Sequence, residues 1–142
     1  MRRKAAEMKQ ISAVKKAIGK ARRIIIACHK NPDGDALGSL LALGLGLKKI
    51  GKRVTMMSVD GIPHAFVQLP GAEDIVRRVF KRHYDLAIAV DCGKKELLEK
   101  SYQYFENVNA SIEIDHHDFR TPFATMQYVD TNAAAVGEIV YE

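Results

Sequence analysis

Three short clusters in this sequence carry side chains suited to metal or acid–base chemistry. They are His29-Lys30-Asn31-Pro32-Asp33-Gly34-Asp35, Asp91-Cys92-Gly93 and Asp115-His116-His117-Asp118, far apart along the chain. Carboxylates brought together repel one another, and crowding is tolerable only with positive charge between them. A mixed carboxylate and imidazole set suits manganese, iron or zinc, with magnesium less favoured by the histidines. A carboxylate with two oxygens can bridge two cations roughly 3.5–4 Å apart, an arrangement that activates water and supports in-line displacement at phosphorus. In the first cluster, Pro32 is expected to hold Asn31 extended and Gly34 to permit a tight reversal. Asp33 and Asp35 could then point in different directions, one toward each ion. Asp35 is equally suited to be the N-cap of the helix that follows. Taken singly, an Asp-Gly-Asp turn or a histidine after a strand is ordinary structure. Three such clusters in one chain are not.

What they share is position: each follows an apolar run. Arg23-Ile24-Ile25-Ile26-Ala27-Cys28, Leu86-Ala87-Ile88-Ala89-Val90 and Ser111-Ile112-Glu113-Ile114 read as buried strands. Residues 3–20 place Ala5, Met8, Ile11, Val14 and Ile18 at helical spacing. A Leu- and Ala-rich helix is expected from Ala36 to Ile50, stopped by Gly51. Arg53 to Val59 reads as a further strand, Glu73 to Phe80 as a helix and residues 94–105 as another. A strand is expected over Ala124 to Val129 and a helix over Ala133 to Glu142. Strands alternating with helices predict an α/β fold, a doubly wound, mainly parallel sheet with helices on both faces. In such a sheet ligands sit beyond the carboxyl ends of the strands, which lie along one edge. The three clusters are therefore expected to converge.

The 142 residues suit one domain spanning 1–142, and 47% hydrophobic with 27% charged content is that of a soluble globular protein. No apolar run approaches the ~18–20 residues that span a bilayer, and the basic start lacks the apolar stretch of a secretory signal. These readings predict a cytoplasmic protein without membrane contact. Cys28 and Cys92 show no zinc-ligand spacing and are read as buried free thiols beside the site. The net charge of +5 owes much to basic residues between Arg2 and Arg23. Without interleaved aromatics these read as a solvated face rather than a nucleic-acid stripe. The charge is compatible with a phosphate-bearing substrate without identifying one.

At the level of motifs, His-Lys-Asn-Pro-Asp-Gly-Asp-Ala-Leu-Gly-Ser at 29–39 resembles the first motif of the DHH phosphoesterase superfamily. Asp91-Cys92-Gly93 resembles the second, Asp115-His116-His117 the signature that names the group, and 129–142 the helix that follows. The resemblance covers residues 20–142. It implies that His29 and Asp33 bind one metal, Asp35 and His116 a second, and that Asp91 bridges both. It further implies that His117 contacts the substrate phosphate or positions the attacking hydroxide, with Asn31 also on the substrate side. Asp115 is expected to orient the histidine pair from behind. Asp91, His116 and His117 are thus the expected catalytic residues. The usual ion in this superfamily is manganese (Mn2+), two per site, with magnesium or cobalt substituting.

The superfamily also carries a further aspartate downstream and a C-terminal substrate-gripping domain, DHHA1, and this chain is read as ending before both. The motif wording favours members resembling oligoribonuclease/pAp phosphatases, cyclic-di-nucleotide phosphodiesterases and RecJ-type exonucleases, and the compact domain favours the type acting on short oligonucleotides or nucleotides over long-strand exonucleases. Family II inorganic pyrophosphatases, which usually have threonine where Gly34 stands, rank second. The rival from another class is a non-catalytic nucleotide- or metal-binding module, and a plain α/β domain with polar loops is blander still. A homodimer is compatible with all of these.

Overall fold

The computed structural model describes residues 2–80 and 83–142. The side chains of residues 2–7, and with them the expected apolar placing of Ala5, lie outside that description. Six strands form one sheet: β1 (Arg23–Cys28), β2 (Arg53–Met57), β3 (Ile75–Val76), β4 (Leu86–Val90), β5 (Ala110–Asp115) and β6 (Met126–Val129). Their order is β3-β2-β1-β4-β5-β6, and every neighbouring pair is parallel. This is the doubly wound order whose direction of winding reverses between β1 and β4. The β-branched run Ile24-Ile25-Ile26 and all of β4 are buried on both faces, as central strands require.

One face is covered by α1 (Arg2–Lys20), α2 (Gly34–Lys49) and, near the end of the chain, the short helix Val136–Tyr141. Val14, Leu40, Leu47, Val136 and Ile139 pack there against Ile24, Ile26, Ile88 and Ile112. The opposite face holds Ile25, Ala27, Ala87 and Ala89 under Leu98 and Phe105 of the segment 95–106. α2 begins with Asp33 as N-cap, its Oδ1 accepting from the Ala36 N–H at 2.9 Å. It ends in paired backbone bonds, Gly51 N–H to the Lys48 carbonyl and Lys52 N–H to the Leu47 carbonyl, each 3.0 Å. Gly51 at φ 85 supplies the left-handed residue that this ending needs.

Four expectations are corrected. Glu73 to Phe80 is not a helix: a 3₁₀ turn at Ala72–Asp74 leads into β3. The β-branched pair Ile75-Val76 joins the open edge of β2, where sheet bonds are available and an isolated helical turn would have few partners. Residues 94–105 form 3₁₀ turns over Lys95–Tyr102, broken at Glu99 (φ 50, ψ −129), before α3 (Gln103–Glu106). The last helix, α4 (Val136–Tyr141), starts later than Ala133, because Ala135 is extended (φ −155, ψ 154). Gly34 makes no left-handed reversal, since positive φ at glycine among the described residues is confined to Gly51, Gly61 and Gly71. It is the first residue of α2. Among the described residues, no helix is long and apolar enough to cross a membrane.

Candidate metal centre

The carboxyl ends of β1, β4 and β5 present the three clusters on one edge, astride the β1/β4 reversal. His29 leaves β1 with Nδ1 2.6 Å from the Lys30 carbonyl. Only an N–H can bond to a carbonyl, so a proton sits on Nδ1 and Nε2 is the nitrogen turned toward the centre. Nε2 lies 3.4 Å from Asp91 Oδ2 and 3.8 Å from Asp33 Oδ1. His116 repeats the device from the other side. Its Nδ1 is 3.0 Å from the Ala133 carbonyl, and its Nε2 lies 3.6 Å from Asp35 Oδ2 and 3.7 Å from Asp91 Oδ1. His117, half exposed, holds Nδ1 2.7 Å from Asp115 Oδ1 and 3.7 Å from Asp91 Oδ1.

Asp91 is the common member. Its side chain is 3% exposed, yet Oδ1 has no hydrogen-bond partner among the described residues. Its backbone sits at φ 55, a conformation unusual for aspartate and held by an N–H bond to the Ile114 carbonyl at 3.0 Å. A buried, unpaired carboxylate oxygen costs about 1–3 kcal/mol or more, unless a cation satisfies it. Two donor sets meet on it: His29, Asp33 and Asp91, and Asp91, His116 and His117, the ligand atoms of each set lying within 4.8 Å of one another. Carboxylate and imidazole together are the right chemistry for a divalent transition metal. The residues present therefore fit such a group.

The electrostatics agree. Contact with the Asp91 carboxylate raises the His29 imidazole to about 9, against the opposing pull of its partial burial. His116 is also raised, first by its bond to the Ala133 carbonyl and then by the Asp91 and Asp35 charges. A centre that raises the proton affinity of its imidazoles attracts positive charge. Burial pushes the thiols of Cys28 and Cys92 up to about 12, away from the thiolate form; both are free and buried, as expected.

The two aspartates of the first cluster divide their work differently from the expectation. The cap of α2 is Asp33, not Asp35. Asp35 caps a remote helix instead, its Oδ2 accepting from Val136 N–H at 2.8 Å and its Oδ1 from Gly137 N–H at 3.0 Å. Buried Ser39 donates to Oδ1 at 3.1 Å. Asp35 still reaches 3.6 Å from His116. Asn31 belongs to neither donor set. It is exposed at φ 50 rather than extended, and its N–H donates to Asp60 Oδ2 at 2.7 Å.

Two supporting residues escaped sequence reasoning. Glu113, fully buried in β5, accepts from the N–H groups of Phe123 and Ala124 at 2.9 Å and so anchors the loop after His117. Its place between Ile112 and Ile114 mimics a solvent-facing position, and only its charge within a buried strand could have flagged it. Gly93 is the other. A Cβ there would lie 3.0 Å from Arg120 Cβ and 3.2 Å from Asp115 Oδ2, so its smallness lets the same loop close over Asp115.

Residues 23–142 match the description "DHH family, N-terminal domain". The chain is 31% identical over 126 residues to a probable bifunctional oligoribonuclease and PAP phosphatase of Streptococcus mutans, covering 82% of this chain and 36% of that protein. The Bacillus subtilis bifunctional oligoribonuclease and PAP phosphatase is 28% identical over 119 residues, covering 84% of this chain and 37% of that protein. The Thermus thermophilus protein of that name is 31% identical over 137 residues, covering 94% and 39%. The chain thus spans well under half the length of these curated relatives. The crystal structure of an exopolyphosphatase-related protein from Bacteroides fragilis shares the fold, with a TM-score of 0.85 at 23% identity over 94% of this chain and 42% of that one. With the family match spanning most of its length and all three motif loops, the chain belongs to the DHH family, of which it carries the N-terminal domain.

Proposed function

We propose that residues 1–142 act as the two-metal unit of a phosphoesterase that hydrolyses short oligonucleotides or nucleotides such as pAp. The observation that carries this reading is the shared carboxylate: two donor sets meet on Asp91. The oligoribonuclease and PAP phosphatase names of the relatives support the substrate class. Two divalent cations, manganese by the donor set, would activate water and stabilise charge developing on the phosphoryl oxygens.

The chain's own residues supply the rest. Asp91 would be shared, with His29 and Asp33 holding one cation and His116 the other, where Asp35, 3.6 Å from His116, would join it in place of His117. Asp115 accepts the Nδ1 proton of His117, which leaves Nε2 to hold or move a proton at the substrate phosphate. The Lys30 and Ala133 carbonyls fix the tautomers that keep both Nε2 lone pairs inward. A cytoplasmic setting suits both this substrate class and the free thiols.

The test is calorimetric titration of the chain with manganese, followed by hydrolysis assays on pAp and on RNA two to five nucleotides long. Manganese binding and cleavage are expected. Binding without cleavage would favour a non-catalytic module, and absence of binding would end the two-metal reading.

A further inference from the structure

A cleft of about 600 Å³ is walled by Val59, Asp60, Arg77, Arg78, Glu99 and Lys100. It is tied directly to the loop that carries His29. Asp60 accepts the Asn31 N–H at 2.7 Å, Glu99 pairs with Lys30 at 2.8 Å, and the Lys30 N–H bonds the Leu97 carbonyl at 2.7 Å. Lys30 and Asn31 directly follow His29, and two residues of chain span at most about 7 Å.

The balance of charge in the cleft is cationic. Both acids are engaged, Glu99 by an ammonium and Asp60 by a backbone N–H. Among the described residues, Arg78 and Lys100 have no ion-pair partner, and both are exposed. Arg77 packs over Gly61 and makes a long 3.4 Å bond from Nε to the Val59 carbonyl. A guanidinium fork and an ammonium without carboxylate partners are the groups that hold a phosphate dianion.

We infer that this cleft binds a second phosphate of the substrate, the one that is not hydrolysed, with Arg78 and Lys100 as its principal contacts. This rests on the phosphoesterase reading above and sharpens it: the preferred substrates carry two phosphates within one or two nucleotides' reach, as pAp or a dinucleotide does. A nucleoside monophosphate fills only the metal side. Arg78 and Lys100 then set specificity and do no chemistry.

The experiment compares adenosine 3′,5′-bisphosphate with 3′-AMP and 5′-AMP, binding each to the chain with and without manganese. The variants are Arg78→Ala/Lys100→Ala and the bulk-preserving Arg78→Gln/Lys100→Gln. The wild type should prefer the bisphosphate about tenfold or more, from the charge-assisted contacts. Both variants should lose that preference while binding the monophosphates and manganese as the wild type does. A preference that survives in the variants, or a wild type that does not discriminate, overturns the inference. Manganese titrated alone tests the metal reading separately. A chain that binds none sinks that reading, while loss of metal-free adenosine 3′,5′-bisphosphate binding in both variants, or its survival, still decides the cleft.

Discussion

Two aspartates flank the same strand, and they could hardly be used more differently. Asp85, before β4, is exposed, and its Oδ2 accepts the Arg23 and Arg22 N–H groups, each at 2.8 Å. Those bonds hold its carboxyl below the usual range. Asp91, after β4, is buried at a left-handed backbone position with one oxygen unpaired. One residue closes the backbone where β1 begins. The other is left incomplete, and the groups nearest it are imidazoles turned inward. An exposed carboxylate that two backbone N–H groups complete serves structure, whereas a buried one with an unpaired oxygen among imidazoles is the kind of group that a cation would complete.

The contrast can be broken most sharply at Asp91. Asp91→Ala should abolish both manganese binding and hydrolysis. The loss should exceed the roughly 10–100-fold typical of removing an orienting partner. Near-normal turnover with manganese would contradict its place between the two sets.

Asp115→Asn tests the orienting layer. With the 2.7 Å contact to His117 weakened, turnover should fall about 10–100-fold while manganese affinity changes little. An equal fall in affinity would move Asp115 into the metal set.

The pH behaviour of the metal-free chain sharpens the same picture. His29 is raised from 6.5 to about 9, so the stability it contributes is fully present below pH 6.5 and is lost as pH rises through about 9. Thermal unfolding followed from pH 6 to 10 should show that decline without manganese. With manganese bound the decline should vanish, because the metal takes the place of the proton, and apparent affinity should rise with pH.

The smallest effect belongs to Asp85. Its pKa is depressed, so its contribution is present above the ordinary carboxylate range and lost as pH falls through the folded value. Because the group is exposed and screened, Asp85→Ala should cost about 1 kcal/mol or less in urea unfolding. Manganese affinity should not move. A large change there would mean that the two ends of β4 are coupled.

The central strands and the three site loops were legible in the sequence because buried β-branched runs ending in polar residues carry a local signature. The β3 edge was not, since Ile75-Val76 becomes a strand only when β2 offers free sheet bonds. The break at Glu99 is likewise tertiary, in a segment tied to Lys30 by backbone and side chain. The exchange of capping roles between Asp33 and Asp35 depends on α4, which reaches Asp35 from more than a hundred residues away. Local pattern singled out both aspartates and could not assign the hydrogen bonds of their oxygens.

The most direct measurement is anomalous X-ray scattering from crystals of the chain grown with manganese. Two peaks roughly 3.5–4 Å apart, one on each oxygen of Asp91, are the predicted result. A single peak away from Asp91, or no peak at all, would contradict a carboxylate shared between two cations.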